Sequence, residues 1–193
     1  MFVSMNWIQE YVDLSGEDIE SLIKRFTLST AEVEDIIYKG KEVQGVIIAE
    51  IKSVENHPNS KKLHLLKVDT GSGIVDCVCG APNVEVGQRV AFAPVGSHVV
   101  GMEITEATVA GFVSQGMCCG EDELGISDDH TGLMVIDSDA PLGTDIKSIY
   151  AIDDIIFEVD NKSLTNRPDL WGHYGIAREF AVMFDRPLKK MPL

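Results

Sequence analysis

The run HPNSKKLHLLKVDTG, residues 57–71, holds the side chains best suited to chemistry in this chain. Between Lys52 and Val68 stand four lysines, Lys52, Lys61, Lys62 and Lys67, against one acid, Glu55. Ammonium groups gathered on a turn neutralise phosphate oxygens, and much of the free energy comes from released counterions. His57-Pro58-Asn59 is a turn signal, because proline fixes its own φ and asparagine bonds to nearby backbone. Lys61 and Lys62 then stand at the mouth of the following strand. Lys52, Lys67 and Arg89 are weaker candidates for the same role. The bland alternative is that these lysines only solubilise a turn.

The charge of the whole chain lends weight to that alternative. Acidic residues number 31 against 16 basic ones, a net charge of −15. From Glu103 to Asp145 there are ten acids and no lysine or arginine. Phosphate binding follows local potential rather than the sum. A segment with its bases early and its acids late can present one face of each sign.

Other chemistry is poorly served. Zinc sites favour cysteines separated by two to four residues, and Cys77-Val78-Cys79 and Cys118-Cys119 have one and none. On a strand Cys77 and Cys79 point to the same face, which predicts core thiols. The acidic run EDELGISDDH lacks the glycine and glutamate that a calcium loop needs at its sixth and twelfth positions. Ile126 and Gly132 stand there instead. His57 and His64 make a poor metal pair, and no phosphate-binding glycine loop or H-E-x-x-H helix occurs. The sequence therefore predicts no catalytic residue, no metal site and no cofactor held by this chain.

The elements that must position the basic run come next. Apolar residues make up 45% of the chain and charged residues 24%, a globular composition. No apolar run is long enough to span a membrane. MFVSMNWIQEYVDL lacks the basic start of a secretory signal, so the cysteines are expected to be reduced and the protein cytoplasmic. The first 39 residues read as helical. Ser4 caps a short helix with Trp7, Ile8, Tyr11 and Val12 on one face, and Ser15 with Asp18 reads as a capping box. Ile19, Leu22, Ile23 and Phe26 follow with the spacing of one buried stripe.

The period changes after Gly40. GVIIAEIKSV, LHLLKV, GIVDCVC, RVAFAPVG, ITEATVAGFV and GLMVI are short β-rich runs between turn residues, as in a small barrel or sandwich. Within LHLLKVDT, Leu66 and Val68 face inward and Lys67 outward. DDIIFEVD is a further strand. TNRPD is a turn in which Asp169 is placed to cap a helix over 170–184. Gly172 and Gly175 weaken that helix by about 1 kcal/mol each relative to alanine, which predicts close backbone packing against a neighbour.

Three ordered stretches, HPNSKKLHLLKVDTG, CGAPNVEVGQRVAFAPVG and GFVSQGMCCGEDELG, resemble the tRNA-binding OB-fold shared by several tRNA-associated proteins. Ser60 stands where that family often has alanine, and Gly120 where it often has serine. The flanks, MNWIQEYVDLSGEDIESLIKRFTLSTAEVEDI and FEVDNKSLTNRPDLWGHYGIAREFAVMF, look like the start of bacterial phenylalanine–tRNA ligase β subunits and their N-R-P-D segment.

The resemblance implies an α+β chain, a five-stranded OB-fold β-barrel (40–151) inserted into a small winged-helix-like helical domain (1–39 and 152–193). It implies that the native chain continues past Leu193. Such subunits pair with a catalytic α chain as an α2β2 heterotetramer, and the α chain binds ATP and Mg2+. This fragment would be non-catalytic, with phenylalanine-specific tRNA as partner and no membrane. Ser114, Gly116 and Met117 match the family's S-x-G-M segment and join the candidate tRNA contacts. The runner-up is a structural or subunit-assembly module with little RNA contact. An independent metal or thiol enzyme is a distant third.

Overall fold

A computed structural model describes residues 1–191. Its strands, in chain order, are Phe2–Ser4 (β1), Val33–Lys39 (β2), Ile47–Asn56 (β3), His64–Asp69 (β4), Ile74–Cys79 (β5) and Arg89–Pro94 (β6). Then come His98–Val99 (β7), Met102–Glu103 (β8), Ala107–Val109 (β9), Phe112–Ser114 (β10), Gly116–Cys118 (β11) and Asp154–Val159 (β12). The α-helices are Met5–Gln9 (α1), Ile19–Ser29 (α2) and His173–Met183 (α3). The chain divides into two compact units. One joins Met1–Lys39 to the segment from Asp154 onward, and the other is Gly40–Asp153. No helix of the described residues is long and apolar enough to cross a membrane.

The first unit is less helical than its opening 39 residues suggest. β1, β12 and β2 form an antiparallel sheet with β12 in the centre. The helical reading overlooked β2, although Val33, Ile36, Ile37 and Tyr38 are residues that favour strands. Their partners, Ile155 to Val159, lie more than 110 positions away, so no local pattern announces the pairing. Ser4 caps α1 as expected, its Oγ accepting the Trp7 N–H at 3.1 Å. Trp7 does not share the buried face; it is half exposed and stacks on His173, because α1 stops after Gln9. Asp18 itself caps α2 by accepting the Ser21 N–H. The expected box from Ser15 is absent: its N–H donates to Asp13, and Gly16 turns the chain with φ +86°. Phe26, Phe157 and Phe180 meet in the core with ring centroids 5.2–6.2 Å apart.

The N-R-P-D segment is an electrostatic knot. Arg167 grips Asp169 with two 3.0 Å bonds and reaches Glu179 at 3.0 Å, while Arg178 meets Asp169 at 2.5 Å. Asp169 thus serves these cations and does not cap α3, whose N-cap is Gly172 with no side-chain bond. The expected close packing occurs at Gly175. A Cβ there would collide with the Asp169 carbonyl and stand 3.0 Å from the Leu170 Cα.

In the second unit the strand order is β11-β6-β3-β4-β5, all antiparallel. β3 serves two partners, pairing β6 through Ile47–Glu50 and β4 through Glu50–Asn56. A bulge at Lys52 breaks the register and lets the strand bend from one partner to the other. The outer strands β5 and β11 then face each other across a seam that hydrogen bonds bridge: Gln115 N–H to the Asp76 carbonyl at 2.8 Å, and Val78 N–H to Ser114 Oγ at 3.0 Å. The result is a nearly closed five-stranded antiparallel barrel, and the OB-like expectation fits it. Leu66, Val68, Cys77, Cys79 and Phe92 fill the interior, and Lys67 points out, as the alternation requires. GLMVI supplies no strand of its own, only a single bridge from Val135 to Val90.

Gly116 lies at the seam with φ +145°, where an added Cβ would strike the Phe92 ring and stand 2.7 Å from the Ala93 carbonyl. Gly116→Ala is expected to cost about 2–3 kcal/mol of stability, read from denaturant melts. The knot makes a second prediction. Hydrogen bonding to Arg167 holds the Asp169 carboxyl below its ordinary 3.8. Its stabilising contribution is therefore present above that value and is lost as pH falls through the lowered one. In Arg167→Met the Asp169 carboxyl should titrate at a higher pH than in the wild type by NMR, and the acid unfolding of this unit should begin at a higher pH.

Candidate nucleic-acid interface

The loop from His57 to Leu63 joins β3 to β4 and is held from inside. The His57 N–H donates to the Leu63 carbonyl at 3.0 Å, and its buried imidazole accepts the Asn59 N–H on Nδ1 at 3.1 Å. Ser60 Oγ accepts the N–H groups of Lys62 and Leu63 at 3.2 and 3.3 Å. Held by these bonds, the loop turns Lys61 and Lys62 outward to solvent. Neither makes an ion pair among the described residues.

The other predicted bases are differently placed. Lys52, on the bulge, bonds Glu50 at 2.9 Å and approaches Asp69 at 3.6 Å. Lys67 bonds Asp76 across the β4–β5 ladder at 2.7 Å. The Glu50 bond raises the Lys52 ammonium above its ordinary value, and the Asp76 bond does the same for Lys67. Arg89 turns its guanidinium onto the backbone carbonyls of Ser138 and Ala140, so it ties down a loop. Ser114 is buried, accepting from Val78 N–H and donating to the Gly116 carbonyl at 2.9 Å. Met117 is half buried on β11. Lys61 and Lys62 thus stand together on the loop, while Ser114, Gly116 and Met117 form the seam and its wall.

One further residue belongs to this face. Phe112 is 37% exposed, and its ring meets the edge of His57 at 5.0 Å. It lines a groove of about 230 Å³ with Leu65, Lys67, Asp76 and Val78. Phe92 and Phe112 are the Phe, Tyr or Trp residues within positions 40–149, and Phe92 is fully buried. An exposed ring beside a basic loop suits base stacking. The sequence shows that ring, but not that the β9–β10 hairpin brings it to His57. Among the described residues, no group of three or more His, Cys, Asp or Glu is placed to hold a metal ion.

Residues 46–145, just over half of the chain, match the family described as a putative tRNA binding domain. The chain belongs to that family. It is similar over its whole length to the phenylalanine–tRNA ligase beta subunit of Leptospira biflexa serovar Patoc, with 37% identity over 193 residues. The beta subunits of Leptospira interrogans and Fusobacterium nucleatum subsp. nucleatum are 37% and 36% identical, over 97% and 98% of this chain. The chain spans 24% of the length of each of these relatives. The crystal structure of a MetRS related protein from Pyrococcus horikoshii aligns over 68% of this chain and 97% of that one. Its identity is 18% and its TM-score 0.39, too low to carry an argument.

His57→Ala would remove the acceptor for the Asn59 N–H, the packing partner of Phe112 and a buried ring. The loss should reach about 2 kcal/mol or more of stability. Hydrogen exchange at Asn59 and Leu63 should quicken, while the α2 amides of the other unit keep their protection.

Proposed function

We propose that this chain is a tRNA-binding accessory region of a phenylalanine–tRNA ligase β subunit. The observation that carries the reading is the pair Lys61 and Lys62, exposed and free of ion pairs among the described residues, inside the stretch that matches the tRNA-binding family. Two ammonium groups on a fixed loop contact backbone phosphates, and Phe112 offers one face to a base. This is backbone binding more than sequence readout. Lys52 and Lys67 join only by leaving their carboxylates. Ser114, Gly116 and Met117 shape the wall, and Arg89 steadies the loop behind it.

In the larger enzyme the β subunit pairs with a catalytic α chain as an α2β2 heterotetramer in the cytoplasm. There the α chain binds ATP and Mg2+ and attaches phenylalanine to its tRNA. This chain supplies no catalytic group. The barrel unit is a domain inserted between the two parts of a winged-helix-like domain. Three helices against a sheet whose central strand comes last in sequence support that reading. A subunit-assembly role is the second reading, favoured by the neutralisation of Lys52 and Lys67.

Titration of this chain with phenylalanine-specific tRNA at rising salt tests the proposal. Two phosphate contacts give a log–log slope near −2. Lys61→Glu with Lys62→Glu should abolish salt-sensitive binding. Asp76→Asn, which frees Lys67, should tighten it and steepen the slope by about 0.9. Absence of salt-sensitive binding at low ionic strength would overturn the RNA reading and leave the assembly role.

A further inference from the structure

The barrel closes over three thiols that the RNA reading does not use. Cys77 lies on β5 and Cys118 on β11, so they face each other across the bridged seam. Their sulfurs are 3.9 Å apart, in van der Waals contact. The Cys77 thiol also reaches the Gly116 carbonyl at 3.6 Å. Cys79 lies one pleat along, its sulfur accepting the Ala81 N–H at 3.4 Å. Cys119 belongs to the other core cluster of this unit, with Ile48 and Leu124. The two touching thiols open on different sides: Cys77 lines the groove of about 230 Å³ beneath Phe112, and Cys118 lines a second cavity with Gly120 and Leu133.

We propose that Cys77 and Cys118 are an oxidisable pair that hydrogen peroxide converts into a disulfide across the barrel seam. The peroxide enters by the groove. The Cys77 thiolate attacks one peroxide oxygen, an S–O bond forms and the O–O bond breaks. The departing hydroxide takes up the proton the thiol gave and leaves as water. The Cys118 sulfur then attacks the sulfenic sulfur of Cys77. The S–S bond forms, the S–O bond breaks, and hydroxide leaves with the Cys118 proton as a second water. Two electrons pass from two thiols to the peroxide, with no further reagent.

The environment divides the roles. Hydrogen bonding with Cys118 pulls the Cys77 thiol below its ordinary value. The same contact, with burial, holds Cys118 well above its own. The thiolate is the attacking species, so Cys77 is oxidised first and Cys118 resolves. Cys79 competes, since bonding to Cys118 brings it to about 7. The 3.9 Å approach of its sulfur to that of Cys118 across the seam favours Cys77.

Hydrogen peroxide added to the reduced chain tests this directly. The intact mass should fall by two hydrogens, and fragmentation of the linked peptides should place the bond at Cys77 and Cys118. The melting temperature should rise by about 5 °C or more and return with a dithiol reductant, because a bond closing so long a loop restricts the unfolded chain. Cys79→Ala should keep the bond, and Cys77→Ala should lose it. In Cys118→Ala, Cys77 should persist as a sulfenic acid that a cyclic 1,3-diketone captures. The wild-type mapping needs no variant to fold. An unchanged mass, oxidation only to sulfinic acid, or a bond that survives Cys77→Ala and vanishes in Cys79→Ala would each overturn the proposal.

Discussion

The barrel unit depends on closing a sheet whose last two strands share no continuous ladder. β11 has only three residues and pairs with β6, not with β5, so a few groups must do the work of a ladder. Ser114 does it from the side chain, taking the Val78 N–H and giving its own proton to Gly116. Gln115 does it from the backbone through Asp76. Gly116 lets β11 start close against β6, because a side chain there would strike the Phe92 ring and the Ala93 carbonyl. A barrel so nearly closed leaves less of the β5 edge open to other chains, and it brings the Cys77 and Cys118 thiols together across the seam.

Electrostatics then sorts the surface. The chain carries nearly two acids for each base, and most bases near the barrel face are matched to a neighbouring carboxylate or carbonyl. Exposed pairs of this kind contribute little stability. Their larger effect is to cancel charge locally, so the unmatched ammonium groups of Lys61 and Lys62 stand out against a neutral or anionic background. A small positive feature on an anionic body steers a polyanion to one approach and repels it elsewhere.

Much of this was legible in the sequence where period and turn chemistry act locally. Alternation put Leu66, Val68, Cys77 and Cys79 inside, and the Pro-Asn turn placed Lys61 and Lys62 after it, at the mouth of the following strand. What was not legible came from partners far apart in the chain. Val33–Lys39 is a strand only because β12 returns to meet it, and the ring that Trp7 stacks on, His173, lies far along the chain. Lys52 and Lys67 look alike in sequence to Lys61 and Lys62. The bulge and the β4–β5 register decide that the first two meet carboxylates. Asp169 had the right spacing for a cap but lies nearer to two guanidinium groups.

The central position of β12 has a consequence for biosynthesis. β1 and β2 lie on either side of a strand that leaves the ribosome more than 110 residues after β2. Until then the opening segment has helices but no sheet to rest them on, and Phe26 lacks Phe157 and Phe180. The intervening barrel contains all its own strands and can complete itself during that delay. Once formed, it holds Lys39 and Asp154 near one another, so the entropy of bringing β2 to β12 is that of a short connection rather than a long flexible loop. The earlier-made half thus awaits the later one, with the barrel serving as the clasp that makes their meeting fast.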